Sequence, residues 1–104
     1  MKEVTVSELK KMIDTEEDFQ LIDVREENEV TIASIGGQLI PMGDVMDNLD
    51  KISKEKKVVV YCRSGNRSGV ITQALETRGF KNIHNLKGGI LAWATEIDTA
   101  VTKY

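Results

Sequence analysis

A single cysteine, Cys62, stands in a chain of 104 residues, so neither an internal disulfide nor a four-cysteine metal site can form. One histidine beside it leaves few soft ligands for a metal, and no metal site is expected. Basic runs of five residues are absent and the net charge is -3, which removes any broad electrostatic case for nucleic acid or an anionic membrane. Any anion site must therefore be local. Long apolar runs are missing as well: no window approaches the roughly 18 continuous apolar residues of a membrane span, and "MKEVTVSEL" turns acidic too early for a signal peptide. A lone thiol suits a reducing compartment, and the expected location is the cytoplasm. The length fits one domain, residues 1–104, with one modest core.

What is present alternates. Ser7 is placed to cap a helix with Leu9, Met12 and Ile13 on one face, which the acidic turn "DTEED" ends. "QLIDV" is the short apolar run of a strand covered on both faces, and "REENEVTIA" can make one or two helical turns. "SIGGQLIPMGD" combines a glycine pair, a brief strand around Leu39 and Ile40, and Pro41 as a breaker. Val45, Met46, Leu49 and Ile52 recur at helical spacing ahead of the polar "SKEKK" and the β-branched strand "VVVYC". Val70, Ile71, Ala74 and Leu75 predict the next helical face, with Gly79 as its left-handed stop. "FKNIHNL" holds a last strand around Ile83, and Gly88 and Gly89 open a helix through Ile90, Trp93, Ala94 and Ile97, or else let the backbone there approach a neighbouring loop closely. Phe80 and Trp93 read as core, His84 as an ordinary strand residue. Strands alternating with helices predict an α/β fold with a largely parallel central sheet.

Cys62 lies at the carboxyl end of "VVVYC", where open α/β sheets bind ligands. Arg63, Ser64, Gly65, Asn66, Arg67 and Ser68 follow, small or turn-forming residues flanked by guanidinium groups. Successive backbone N–H groups in such a loop curl around a common centre, and the next helix adds its free donors. From Lys56 to Leu75 there are four basic residues and no acidic one, so positive charge gathers around the sulfur of an otherwise acidic chain. A cysteine ending a valine-rich strand is usually a small buried hydrophobe. Two arginines and a glycine suit an exposed electropositive pocket better, and there the thiol becomes a reactive thiolate.

Taken in order, "IDVRE" at 22–26, "VVYCRSGNRS" at 59–68 and "RGFKNIHNLKGGILAW" at 78–93 resemble a single-domain rhodanese-like protein over nearly the whole chain. The resemblance implies a five-stranded, mainly parallel sheet flanked by helices, with Cys62 carrying a transferable sulfur as a persulfide. It also places Asp23 and Arg25 beside the active loop. A charge near a core is normally paired, so Asp23 either orients the loop or Arg67 or touches substrate, and Arg25 pairs with Glu26 or Glu29 on the surface. Rhodanese-like loops typically hold six residues, whereas related phosphatases use a longer C-x5-R loop; here Cys62 to Arg67 is C-x4-R. The smaller ring suits one sulfur atom better than a phosphate and argues against a phosphatase or arsenate reductase. Many relatives have "GHIPGA" where this chain has "ASIGGQ", so Ser34 stands in place of a histidine.

The expected chemistry is ping-pong transfer: Cys62 takes a sulfane sulfur from thiosulfate or a similar donor, and a thiol or protein acceptor removes it, with no cofactor. Arg63 and Arg67 are the expected contacts for the anionic donor, and the amides of Ser64 to Ser68 the expected holders of the persulfide. A persulfide carrier fed by a desulfurase uses the same residues. Without a second cysteine, delivery must be to an external thiol.

Overall fold

A computed structural model describes residues 1–104. In chain order the elements are β1 (Lys2–Val4), α1 (Val6–Asp14), β2 (Phe19–Asp23), α2 (Glu27–Ile32), β3 (Gln38–Leu39), two 3-10 turns (Met42–Asp47 and Leu49–Lys51), β4 (Lys57–Tyr61), α3 (Asn66–Thr77), β5 (Ile83–Leu86) and α4 (Gly89–Glu96). The five strands form one parallel sheet in the order β1-β5-β4-β2-β3.

Strand β4 is central because its side chains can be buried on both faces. Val58, Val60 and Cys62 point to one side, where they pack with Ile71 and Leu75 of α3 and with Val45 and Ile52 from the 3-10 segment. Val59 and Tyr61 point to the other, against Leu9 and Met12 of α1 and Ile90 and Trp93 of α4. This period-two split follows from the pleat, and it is why no charged residue follows Lys57 until the strand has ended. No helix is long and apolar enough to cross a membrane.

Four local expectations are corrected. Thr5, not Ser7, caps α1: its hydroxyl accepts from the Glu8 amide (3.1 Å) and the Glu8 carboxylate accepts from the Thr5 amide (2.9 Å), a reciprocal capping box. On that helix Leu9 and Met12 are buried but Ile13 is exposed. The stretch holding Val45, Met46, Leu49 and Ile52 makes the two 3-10 turns, Met42–Asp47 and Leu49–Lys51, rather than an α-helix, since the Asn48 side chain donates to the Asp44 carbonyl (2.7 Å) that an α-helix would have offered to the Asn48 amide. Val70 is exposed, because the inward face of α3 is Ser68, Ile71, Thr72 and Leu75, at i, i+3, i+4 and i+7. Two buried hydroxyls on that face hid its phase. Strand β1, three residues with one buried side chain, had no apolar pattern to announce it. Gly79, by contrast, has the positive φ expected of a helix stop (94°).

Candidate active site

The chain leaves β4 at Tyr61 and enters α3 at Asn66, so Cys62 to Gly65 form a tight bridge at the carboxyl end of the central strand. Gly65 donates its N–H to Cys62 Sγ at 3.1 Å, and its φ of 102°, a conformation that L side chains rarely adopt, turns the chain from there into α3. From the first turn of α3, Ser68 adds its amide (3.4 Å) and its hydroxyl (3.2 Å). Helix α4 orients the remaining peptide groups: the amides of Ile90 and Leu91 donate to the carbonyls of Cys62 and Arg63, both at 3.0 Å. In a trans peptide the next N–H points the opposite way, so carbonyls drawn toward α4 turn the loop amides toward the sulfur. Gly89 makes the approach possible, since a Cβ there would lie 2.5 Å from the Arg63 carbonyl oxygen and 2.6 Å from that of Cys62.

Cys62 is 1% exposed. The choice between core filler and electropositive loop is thereby corrected, for the side chain is both: it packs beside Val58 and Val60 while donors surround its sulfur. Burial alone would push the thiol's pKa up. The Ser68 hydroxyl and the amides of Ser68, Gly65 and Ser64 outweigh it, and the pKa falls below the ordinary thiol value.

Arg67 faces α2, where Glu29 accepts both of its terminal nitrogens (2.6 and 2.8 Å). These bonds hold Glu29 down at about 2 and raise Arg67 above its usual range. Arg63 is exposed and donates to the main-chain carbonyl of Tyr104, whose ring lies 5.2 Å below the guanidinium. The hydroxyl of Tyr104 donates to Glu29 (2.7 Å) and accepts from Arg25 (3.0 Å).

Two supporting roles are corrected. Arg25 is wholly buried, and it pairs with Asp23 (2.8 Å) instead of with Glu26 or Glu29 on the surface. The remaining guanidinium donors reach the carbonyls of Ala33 (2.9 Å) and Glu29 (3.4 Å), and Tyr61 stacks 5.4 Å away. Burial opposes the charge of Arg25, but its bonds to Asp23 and Tyr104 overrule that and hold it above the ordinary range. Asp23 therefore orients Arg25, not Arg67: the strand end places the two side chains two residues apart on one side, whereas Arg67 points across to α2. Burial and the charge of Asp23 push Tyr61 up to about 12, and its hydroxyl donates to the Gly36 carbonyl (2.8 Å). Ser34 accepts from the Gly36 amide (3.0 Å).

A profile of the rhodanese-like domain matches residues 5–96. The chain belongs to this family. YtwF of Bacillus subtilis is 39% identical to this rhodanese-like domain over 97 residues, 92% of this chain and 93% of that one. A sulfurtransferase of Allochromatium vinosum is 35% identical over 95 residues, covering 90% and 89% of the two chains. The crystal structure of a rhodanese-like domain protein from Staphylococcus aureus superposes with a TM-score of 0.84 at 30% identity, over 100% of this chain and 99% of that one. These likenesses support a role in sulfur transfer for this rhodanese-like domain.

Cys62 to Ser68 lie together as the sequence placed them, and Asp23 and Arg25 sit at the end of the neighbouring strand. Sequence reasoning missed three residues that the structure brings to the candidate site. Glu29 stood in an acid-rich stretch as a surface partner of Arg25, with nothing to mark it as the partner of Arg67. Tyr104 carries no local signal at all. Asn85 did carry one, as a polar residue two positions beyond Ile83 on the core-facing side of β5.

Proposed function

We propose that this protein is a thiosulfate sulfurtransferase that works through a persulfide on Cys62. The thiolate attacks the outer sulfur of thiosulfate, a new S–S bond forms, and the old S–S bond breaks with its electron pair leaving on sulfite. An acceptor thiolate then attacks the outer sulfur and returns Cys62 as a thiolate, so no net redox change and no prosthetic group is involved. The observation that carries the reading is the convergence of the Gly65 amide, the Ser68 amide and the Ser68 hydroxyl on one sulfur.

Within this reading Arg63, exposed beside the loop, meets the anionic donor by exchanging the Tyr104 carbonyl for it. Arg67, already neutralised by Glu29, closes the rim. The main-chain amides from Ser64 through Gly65 and Asn66 to Ser68 hold the outer sulfur in place of a solvent shell. The lone thiol is kept free by the reducing cytoplasm and hands its sulfur to an external thiol or protein.

Mass spectrometry after exposure to thiosulfate or to a persulfidated desulfurase provides the test. Wild type should gain one sulfur atom and Cys62→Ser none. Faster loading from the desulfurase than from thiosulfate would make the protein a carrier module. An unmodified wild type with a titratable thiol, or Cys62-dependent phosphate release from an aryl phosphate, would overturn the reading.

A further inference from the structure

Asn85 is a polar side chain at a position that the sheet reserves for apolar ones. It pairs in register with Val60, shares its face of β5 with Ile83, and is 3% exposed. A buried amide persists in such a place only when its atoms are bonded. Here Nδ2 donates to the Gly65 carbonyl (3.2 Å), while Oδ1 lies 2.5 Å from the Ser68 hydroxyl. Because a carbonyl can only accept, the bond to Gly65 sets the orientation of the amide, and Oδ1 faces Ser68 as an acceptor.

Ser68 has one hydroxyl proton and two acceptors within reach, Asn85 Oδ1 and Cys62 Sγ at 3.2 Å. We propose that Asn85 is a positioning residue for sulfur transfer, an acceptor that receives the Ser68 hydroxyl's hydrogen bond when the Cys62 sulfur is uncharged and loses it to the sulfur when that is a thiolate. This inference rests on Cys62 being the residue that carries sulfur. With a neutral thiol the chain runs S–H to Ser68 Oγ, and Ser68 O–H to Asn85. When the thiol proton leaves to solvent, the Ser68 hydroxyl turns to the sulfur and Asn85 Oδ1 loses its donor. Once the outer sulfur has been added, the negative charge moves outward to the loop amides, the inner sulfur no longer needs the hydroxyl, and Ser68 returns to Asn85. Asn85 thus favours the two uncharged forms of the inner sulfur over the free thiolate, and so holds the reactive form in check.

The charged and titratable groups around the loop are Arg63, Arg67 of α3, Glu29 of α2, Asp23 at the end of β2 and Arg25 just beyond it, Tyr61 of β4 and Tyr104, and Glu3 of β1 pairs in register with Asn85. On β5 the neighbouring His84 alternates to the other face of the sheet. None of these is changed by substituting Asn85.

The test is the ionisation of Cys62, followed by thiolate absorbance and by alkylation rate against pH, in wild type, Asn85→Leu and Asn85→Val. Removing the competing acceptor should lower the titration midpoint and raise the thiolate fraction below it about fivefold, the equivalent of one ordinary hydrogen bond. Loosening of the loop would withdraw the amides from the sulfur and move the midpoint upward. An unchanged or raised midpoint therefore overturns the proposal. In a Ser68→Ala background the Asn85→Leu shift should vanish, and its persistence would equally refute the relay. Wild type supplies a measurement that needs no Asn85 variant to fold: the Asn85 side-chain amide resonances should follow the Cys62 titration in the NMR spectrum, and resonances that stay flat across it refute the relay. These readouts require no sulfur donor, so failure of wild type to load sulfur would sink the proposed function and leave the ionisation result standing.

Discussion

Replacing Gly89 by alanine tests whether helix α4 holds the sulfur loop by direct backbone contact. Two costs are separable. At φ 60° an L side chain pays for a left-handed conformation, about 1–2 kcal/mol. The new Cβ would also stand 2.5 Å from the Arg63 carbonyl oxygen, 2.6 Å from that of Cys62 and 2.7 Å from the Arg63 carbonyl carbon. All three are backbone atoms, so no rotamer change relieves the clash; α4 must retreat and stretch the Ile90 and Leu91 bonds to those carbonyls. Overpacking of this kind costs about 1–3 kcal/mol, for a total of roughly 2–5. Gly79 supplies the control, because it too has a positive φ (94°) but nothing lies within 4 Å of its Cβ position. Urea unfolding followed by Trp93 fluorescence should place Gly79→Ala about 1–2 kcal/mol below wild type and Gly89→Ala about 1–3 further, with an unchanged m-value. The loop amides would move with α4, so the Cys62 titration of the folded Gly89→Ala protein should rise toward the ordinary thiol value. Equal losses for the two variants, or a Cys62 titration in Gly89→Ala matching that of wild type, would refute the reasoning.

Asp23→Asn removes the charge partner of a fully buried guanidinium and should cost about 3–5 kcal/mol in chemical denaturation, much more than a surface ion pair; a loss below about 1 kcal/mol would show that the carbonyls of Ala33 and Glu29 suffice for Arg25. Glu29→Gln should lower stability at neutral pH by about 1–3 kcal/mol, the worth of bonds to a charged group. Because the folded value of Glu29 is depressed to about 2 from an ordinary 4.5, that stabilisation is fully present above the unfolded value and fades as pH falls toward 2. The difference between wild type and Glu29→Gln should accordingly shrink across this window, and a difference constant from pH 7 to 2 would contradict it.

How far the sequence reached can be judged from particular elements. The β-branched run Val58 to Val60 lies inside β4 and the left-handed stop falls at Gly79, both where local sterics put them. Val70 went wrong because the inward face of α3 carries Ser68 and Thr72, polar residues whose burial makes sense only once the sulfur and the Ser68 carbonyl are in place to meet their hydroxyls. Arg25 went wrong for a related reason. An arginine between acidic residues reads as a surface pair, and only the carbonyls of Glu29 and Ala33, brought in by the turn around α2, give a buried guanidinium enough acceptors.

By itself the sequence determined the alternation that makes an α/β sheet, the place of Cys62 at a strand end, and the four-residue spacing to Arg67. These are properties of neighbouring residues, set by steric preference, periodicity and charge. The tertiary structure decided what surrounds the sulfur. Gly89 reaches the loop from 27 residues downstream of Cys62, Asn85 from 17 residues beyond Ser68, and Glu29 from 38 residues before Arg67. Contacts at such separations exist only once the parallel sheet has set β2, β4 and β5 side by side.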